Sequence, residues 1–114
     1  ILIEGQAALR NPSGPCGSEF LISCDVDAVI LQHSTKRKYY DGWKDVGCKM
    51  PSIKSEIELI KLYGKEVIGI SLNTSGMTEN EKKEAKKDLN DKLKIPFILL
   101  RTNAQCTALA TSFT

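Results

Sequence analysis

Four apolar runs in this chain each end in residues able to do chemistry. Ile1-Leu2-Ile3 ends in Glu4-Gly5-Gln6, Val29-Ile30-Leu31 in Gln32-His33, Ile68-Gly69-Ile70-Ser71-Leu72 in Asn73-Thr74, and Phe97-Ile98-Leu99-Leu100 in Arg101-Thr102. If the runs are parallel strands, their polar tips lie along one edge of a sheet, where open α/β sheets bind ligands. At such an edge a carboxylate like Glu4 can hold magnesium, directly or through water, or serve as a general base. His33 is suited to proton transfer, and Arg37 to bidentate binding of a carboxylate or phosphate. Asn73-Thr74 can read a base edge or an amide. Each residue also has a plainer reading: a solvated acid capping a turn, a hydrogen-bonded loop histidine, a surface arginine, and Asn followed by Ser75-Gly76 as ordinary turn chemistry.

The elements that would position these tips follow from the pattern. Ile1 to Glu4 reads as a short buried strand, apolar throughout rather than alternating. A loop dense in turn formers follows through Asn11-Pro12-Ser13-Gly14-Pro15. Gly17 to Cys24 is expected to form a short helix and Asp27 to Gln32 a central strand. His33 to Met50 is the longest irregular segment; it holds Trp43, Tyr39 and Tyr40, which favours a functional loop over disorder. Ser52 is placed to cap a helix bearing Ile53, Ile57 and Ile60 on one face, with Gly64 just past its end. Glu66 to Leu72 is the third strand. Thr78 and Glu81 form a capping box for a charged helix over 79–93 with Ala85, Leu89 and Leu93 as its apolar stripe. Phe97 to Leu100 is the fourth strand, and the tail 102–114 is a last helix or poorly ordered. The alternation of strands and helices predicts right-handed crossovers.

Length and composition narrow the function. At 114 residues the chain is at most one domain. Net charge is +2, with acids and bases interleaved along most of the sequence, so no nucleic-acid partner is expected. Lys36-Arg37-Lys38 beside Tyr39-Tyr40 has the make-up of a stacking-and-phosphate patch, but a solvated basic loop is the commoner outcome of so short a motif. No apolar stretch approaches the roughly 20 residues that span a bilayer, and no signal peptide is visible. Cys16, Cys24, Cys48 and Cys106 include no C-x-x-C pair and His33 is the only histidine, which argues against a zinc site and for reduced thiols in a cytoplasmic protein. No Walker A, G-x-G-x-x-G or G-x-S-x-G sequence is present. The chain opens at Ile1 inside an apparent strand, so residues 1–114 are expected to be a fragment of one domain, with self-association through the uncovered strand.

A set of residues in order carries a family resemblance: Ile3-Glu4-Gly5-Gln6, Asn11-Pro12-Ser13-Gly14, Asp27-Ala28-Val29-Ile30-Leu31 running into His33 with Arg37 and Gly42, Pro51-Ser52-Ile53, and Ile68 through Thr74. Over roughly residues 1 to 100 this resembles the C-terminal P-loop domain of a prokaryotic family of long-uncharacterised proteins with a Rossmann-like N-terminal domain. Some members of that family are assigned as D-glutamate N-acetyltransferases. The resemblance implies a Walker A loop upstream of Ile1. Glu4-Gly5-Gln6 is also similar to the E-G-x-G segment of dethiobiotin synthetase-like P-loop enzymes, where the acid helps hold magnesium near the phosphates. By that likeness Glu4 takes the metal side, Gly5 and Gln6 lie with it at the cofactor, and Asn73 and Thr74 serve the nucleotide. His33 and Arg37 fall on the family's H-x-x-x-R pattern and would face the substrate. The aromatic loop with Tyr39, Tyr40 and Trp43 departs from the family pattern.

The expectation is therefore an α/β three-layer sandwich with a mainly parallel sheet, the C-terminal part of a P-loop-like domain. Its function would be to bind ATP with magnesium, or acetyl-CoA, and to modify a small carboxylate such as an amino acid, as a homo-oligomer. The alternative is a non-catalytic ligand-binding or assembly module on the same fold.

Overall fold

The structure, a computed structural model, describes residues 1–5, 8–14 and 17–100, the last four by backbone alone. Gln6, Cys16, Arg101, Cys106 and the tail 102–114 lie outside the described residues. The elements in chain order are α1 (Ser18–Ser23), β1 (Val29–His33), α2 (Ile53–Leu62), β2 (Val67–Asn73), α3 (Glu79–Leu93) and β3 (Phe97–Leu100). This is an α/β chain, as the pattern predicts. Two compact units are formed: Ile1–Val29 with Arg37–Ile68, and Ile30–Lys36 with the chain from Gly69 onward.

The sheet order is β1-β2-β3, and β2 pairs with β3 in parallel, Ile70 opposite Phe97 through Asn73 opposite Leu100. The Val29 N–H donates to the Glu66 carbonyl at 2.9 Å, which sets the start of β1 beside the start of β2. The two strands therefore run the same way and end at the same edge, β1 in His33 and β2 in Asn73. β2 is the central strand, and its sequence V-I-G-I-S-L has the near-continuous apolar character that a parallel strand covered on both faces requires.

In the first unit Leu21, Tyr40, Ile53, Ile60 and Val67 form the buried core. α2 begins at Ser52, whose Oγ accepts the Ser55 N–H at 3.2 Å. It ends where Gly64 takes φ 77. There the Gly64 N–H donates to the Lys61 carbonyl at 2.9 Å and the Lys65 N–H to the Ile60 carbonyl at 3.2 Å. That pair of bonds is a Schellman motif, and the left-handed residue inside it suits glycine. The 37–50 segment is ordered by an antiparallel bridge between Tyr39 and Lys49. Bonds from Met50 N–H to the Lys38 carbonyl (2.9 Å) and from Tyr40 N–H to the Cys48 carbonyl (3.2 Å) flank that bridge. The Trp43 indole N–H pins the segment to Ser13 Oγ at 2.8 Å.

Among the described side chains of the second unit, Ile70, Leu72 and Leu89 are the buried apolar ones. The Ile70 N–H bonds the Pro96 carbonyl at 2.9 Å, which ties β2 to the start of β3. α3 carries the capping box read from the sequence: the Thr78 N–H donates to Glu81 Oε2 at 2.7 Å and the Glu81 N–H to Thr78 Oγ1 at 3.3 Å. Lys82 joins Leu89 on the buried side of this helix, its stem covered and its ammonium held by Glu79 Oε1 at 2.6 Å.

One expected element is not formed. Residues 1–5 make no strand, and Ile1, Leu2 and Ile3 are exposed. An apolar run becomes a buried strand only when a neighbour completes its ladder, and the described sheet has three strands with none beside this run. His33 is also inside β1 and not in the loop after it.

Leu72 is wholly buried on the central strand, whereas Leu62 is 85% exposed at the end of α2. Leu72→Ala should cost about 2–5 kcal/mol, and Leu62→Ala less than about 0.5 kcal/mol, in urea unfolding followed by circular dichroism.

Candidate functional site

The edge where β1 and β2 end brings together three of the expected residues. His33 is half-buried as the last residue of β1, Asn73 is the last of β2, and Thr74, buried at 5% exposure, follows it. Asn73 Oδ1 accepts the Ser75 N–H at 3.0 Å, an Asx turn that reverses the chain after β2. The Met77 N–H returns to the Thr74 carbonyl at 3.1 Å, with Gly76 at φ 73 between them. This turn delivers the chain to Thr78 and the start of α3. From the β1 side, Thr35 Oγ1 donates to Met77 Sδ at 3.5 Å and Lys36 Nζ pairs with Glu81 Oε1 at 2.8 Å.

Burial lowers the His33 pKa from its ordinary 6.5, because the imidazolium loses solvation. His33 is therefore neutral at pH 7, with one ring nitrogen able to accept a proton. Glu81 is held below the usual carboxylate range by its hydrogen bond from Lys36, then by the Thr78 N–H.

The other expected residues lie in the first unit. Glu4 and Gly5 are exposed. Arg37 is half-exposed and faces Asp41 Oδ2 at 3.3 Å, a pair four residues apart on the surface. Of the aromatic pair in the suggested stacking patch, Tyr40 is 7% exposed and belongs to the core, while Tyr39 is partly exposed.

A cluster that the motif reading missed also lies in the first unit. Glu56, in the first turn of α2, is buried, and its Oε1 accepts from Arg10 Nε at 3.0 Å. Arg10 Nη2 approaches the same oxygen at 3.0 Å and donates to Ser55 Oγ at 2.6 Å. Glu56 Oε2 is buried with no hydrogen-bond partner, which costs about 1–3 kcal/mol. Tyr40 borders this cluster: burial, then the Glu56 carboxylate, push its phenol up, Arg10 opposes them and Cys48 adds to the rise. The signal was present in the sequence, since Glu56 sits between Ile53 and Ile60 on the apolar face of α2. An acid in that position needs a cation from elsewhere in the chain.

Among the described residues no group of three or more His, Cys, Asp or Glu is placed to hold a metal ion. Glu4 offers a single exposed carboxylate. That fits a magnesium ion carried in on a nucleotide's phosphates, which takes one or two protein carboxylates, and does not fit a resident all-protein cage. Cys24 and Cys48 are free thiols. No helix among the described residues is long and apolar enough to cross a membrane.

Parallel strands ending in polar loops, one of which leads into a capped helix, define an α/β fold of the kind that takes ligands beyond the carboxyl ends of its strands. The chain belongs to one such family: residues 1–105 match the model described as "Domain of unknown function (DUF1611_C) P-loop domain". No curated protein matches the chain, and no solved structure does.

The depressed His33 pKa gives a stability signature. The unfolded chain takes up a proton near pH 6.5 while the folded chain resists it, so folding stability falls as pH drops below 6.5 until the lower folded pKa is reached. Asp25, lowered chiefly by its bond from Lys65, and Glu81 contribute stability that is lost only below about pH 4–4.5, where the unfolded carboxylates protonate. Thermal melts of the wild type from pH 7.5 to 5 should show a falling midpoint, and His33→Gln should flatten that slope and leave the fall at lower pH.

Proposed function

We propose that this P-loop domain is the nucleotide- or acetyl-CoA-binding part of an enzyme that modifies a small carboxylate such as an amino acid, in the manner of a D-glutamate N-acetyltransferase. The observation that carries the reading is the β1–β2 edge, where a half-buried, neutral His33 shares a ligand-binding position of the fold with Asn73 and Thr74. Bound acetyl-CoA would supply an acyl group activated as a thioester; ATP would supply a transferable phosphoryl group. His33 takes the proton that an attacking substrate nitrogen must lose. Arg37, paired on the surface with Asp41, exchanges that partner for the substrate carboxylate. Asn73 and Thr74 contact the nucleotide portion, and Glu4 with Gly5 and Gln6 serves the magnesium and phosphate side.

The protein works in the cytoplasm as a homo-oligomer. Free Cys24 and Cys48 suit a reducing compartment, and exposed Ile1, Leu2 and Ile3 give a second copy an apolar surface to cover. Light scattering should show mass rising with concentration; a constant monomer mass across the range would remove the oligomer from this reading.

The second reading, a ligand-binding or assembly module without turnover, draws on Asn73. Its Oδ1 is already engaged in the Asx turn, as a purely structural asparagine's would be. Calorimetry with ATP–magnesium and with acetyl-CoA, on the full-length protein as wild type and Glu4→Gln, separates the possibilities. Magnesium-dependent ATP binding that weakens in the variant points to phosphate chemistry. Binding of acetyl-CoA alone points to acyl transfer and recasts Glu4 as a base or structural residue. Binding of neither ends the nucleotide reading and leaves the module.

A further inference from the structure

The chain leaving β1 is fastened to the start of α3 at two points. Thr35 donates to Met77 Sδ at 3.5 Å, and Lys36 Nζ meets Glu81 Oε1 at 2.8 Å. Glu81 Oε2 is engaged separately, accepting the Thr78 N–H at 2.7 Å as its half of the capping box. One carboxylate thus faces two ways: Oε2 closes the first turn of α3, and Oε1 holds the segment that follows His33. Capping a helix needs only the first of these bonds. The second joins the exit of β1 to the helix that follows the exit of β2.

We propose that Glu81 is a positioning residue for the β1–β2 edge: through Lys36 it holds residues 34–36 against the start of α3 and thereby keeps His33 shielded from water. The consequence for a ligand rests on the reading of His33 given above; the fastening itself does not. The charged side chains of the two fastened elements are Lys36 after β1 and Glu79, Glu81 and Lys82 in the first turn of α3, with Lys82 already engaged by Glu79. Lys36 and Glu81 are 46% and 40% exposed, so the pair is an exchangeable clamp that salt weakens, not a buried lock.

Glu81→Gln separates positioning from simple electrostatics because the two predict opposite signs. Glutamine keeps an amide oxygen for the Thr78 N–H, so α3 stays capped, but it gives up the ion pair with Lys36. Loss of a nearby negative charge, taken alone, makes a protonated imidazole less favourable and lowers the His33 titration midpoint. Release of the 34–36 segment instead hydrates His33 and raises the midpoint toward 6.5.

The experiment is an NMR titration of His33, the chain's only histidine, in wild type, Glu81→Gln, Lys36→Met and Lys38→Met. Far-UV circular dichroism checks that each variant keeps its helices. The expected result is a rise of roughly 0.2–0.7 in the midpoint for Glu81→Gln and for Lys36→Met, the range a partly exposed ion pair can supply. Lys38→Met should stay at the wild-type value. Raising the salt concentration should move the wild type in the same direction as Glu81→Gln, and move Glu81→Gln itself less. A fall or no change in Glu81→Gln, or an unmoved midpoint in Lys36→Met, overturns the proposal. If the midpoint rises as expected while neither ATP nor acetyl-CoA binds the wild type, Glu81 keeps its positioning role and the nucleotide reading is what fails.

Discussion

The burial of β2 is the constraint on which the rest depends. A strand covered on both faces must satisfy its backbone polar groups through neighbouring strands, so β2 is flanked by β1 and β3. Ile70 and Leu72 supply apolar side chains with essentially no exposure, and the parallel register with β3 follows from the return of the chain through α3. Parallel strands that start together finish on the same side of the sheet, here with the five-residue β1 two residues short of the seven-residue β2. The His33–Asn73 edge is therefore a consequence of how β2 is buried. Polar residues can stand at that edge because the apolar run stops there.

The two units handle buried charge differently. In the second unit each ion pair keeps at least one partner in solvent: Lys36 and Glu81 are both partly exposed, and the buried Lys82 is met by an exposed Glu79. In the first, Glu56 is buried beneath Arg10 with one oxygen unpaired. A buried acid so poorly satisfied contributes little net stability compared with an apolar residue of the same size. Its effect is to tie the 8–14 loop to α2 through Arg10 and to raise the Tyr40 phenol.

Local signals were the legible ones. The Thr78–Glu81 capping box, the Ser52 cap, the Gly64 end of α2 and the bounds of α3 all rest on bonds within a few residues, and all appear as read. The apolar runs at 29–31, 68–72 and 97–100 became strands because each found a neighbour. The run at 1–3 has the same composition and did not, since strand formation depends on pairing that composition does not encode. Of the site, the strand-end residues His33, Asn73 and Thr74 were visible because they punctuate apolar runs. Arg10 with Glu56 and Lys36 with Glu81 were not, because pairs 46 and 45 residues apart leave no periodic trace. Glu56 alone left a hint, as an acid inside an apolar stripe.

The proposed function places ligand where β1 and β2 end. The most direct measurement is mapping of backbone amide shifts as ATP–magnesium or acetyl-CoA is added to the labelled full-length protein. Binding at that edge should give changes concentrated at residues 33–36 and 73–78, including the His33 ring. Changes confined to the Arg10–Glu56 cluster, or none at saturating ligand, would contradict it.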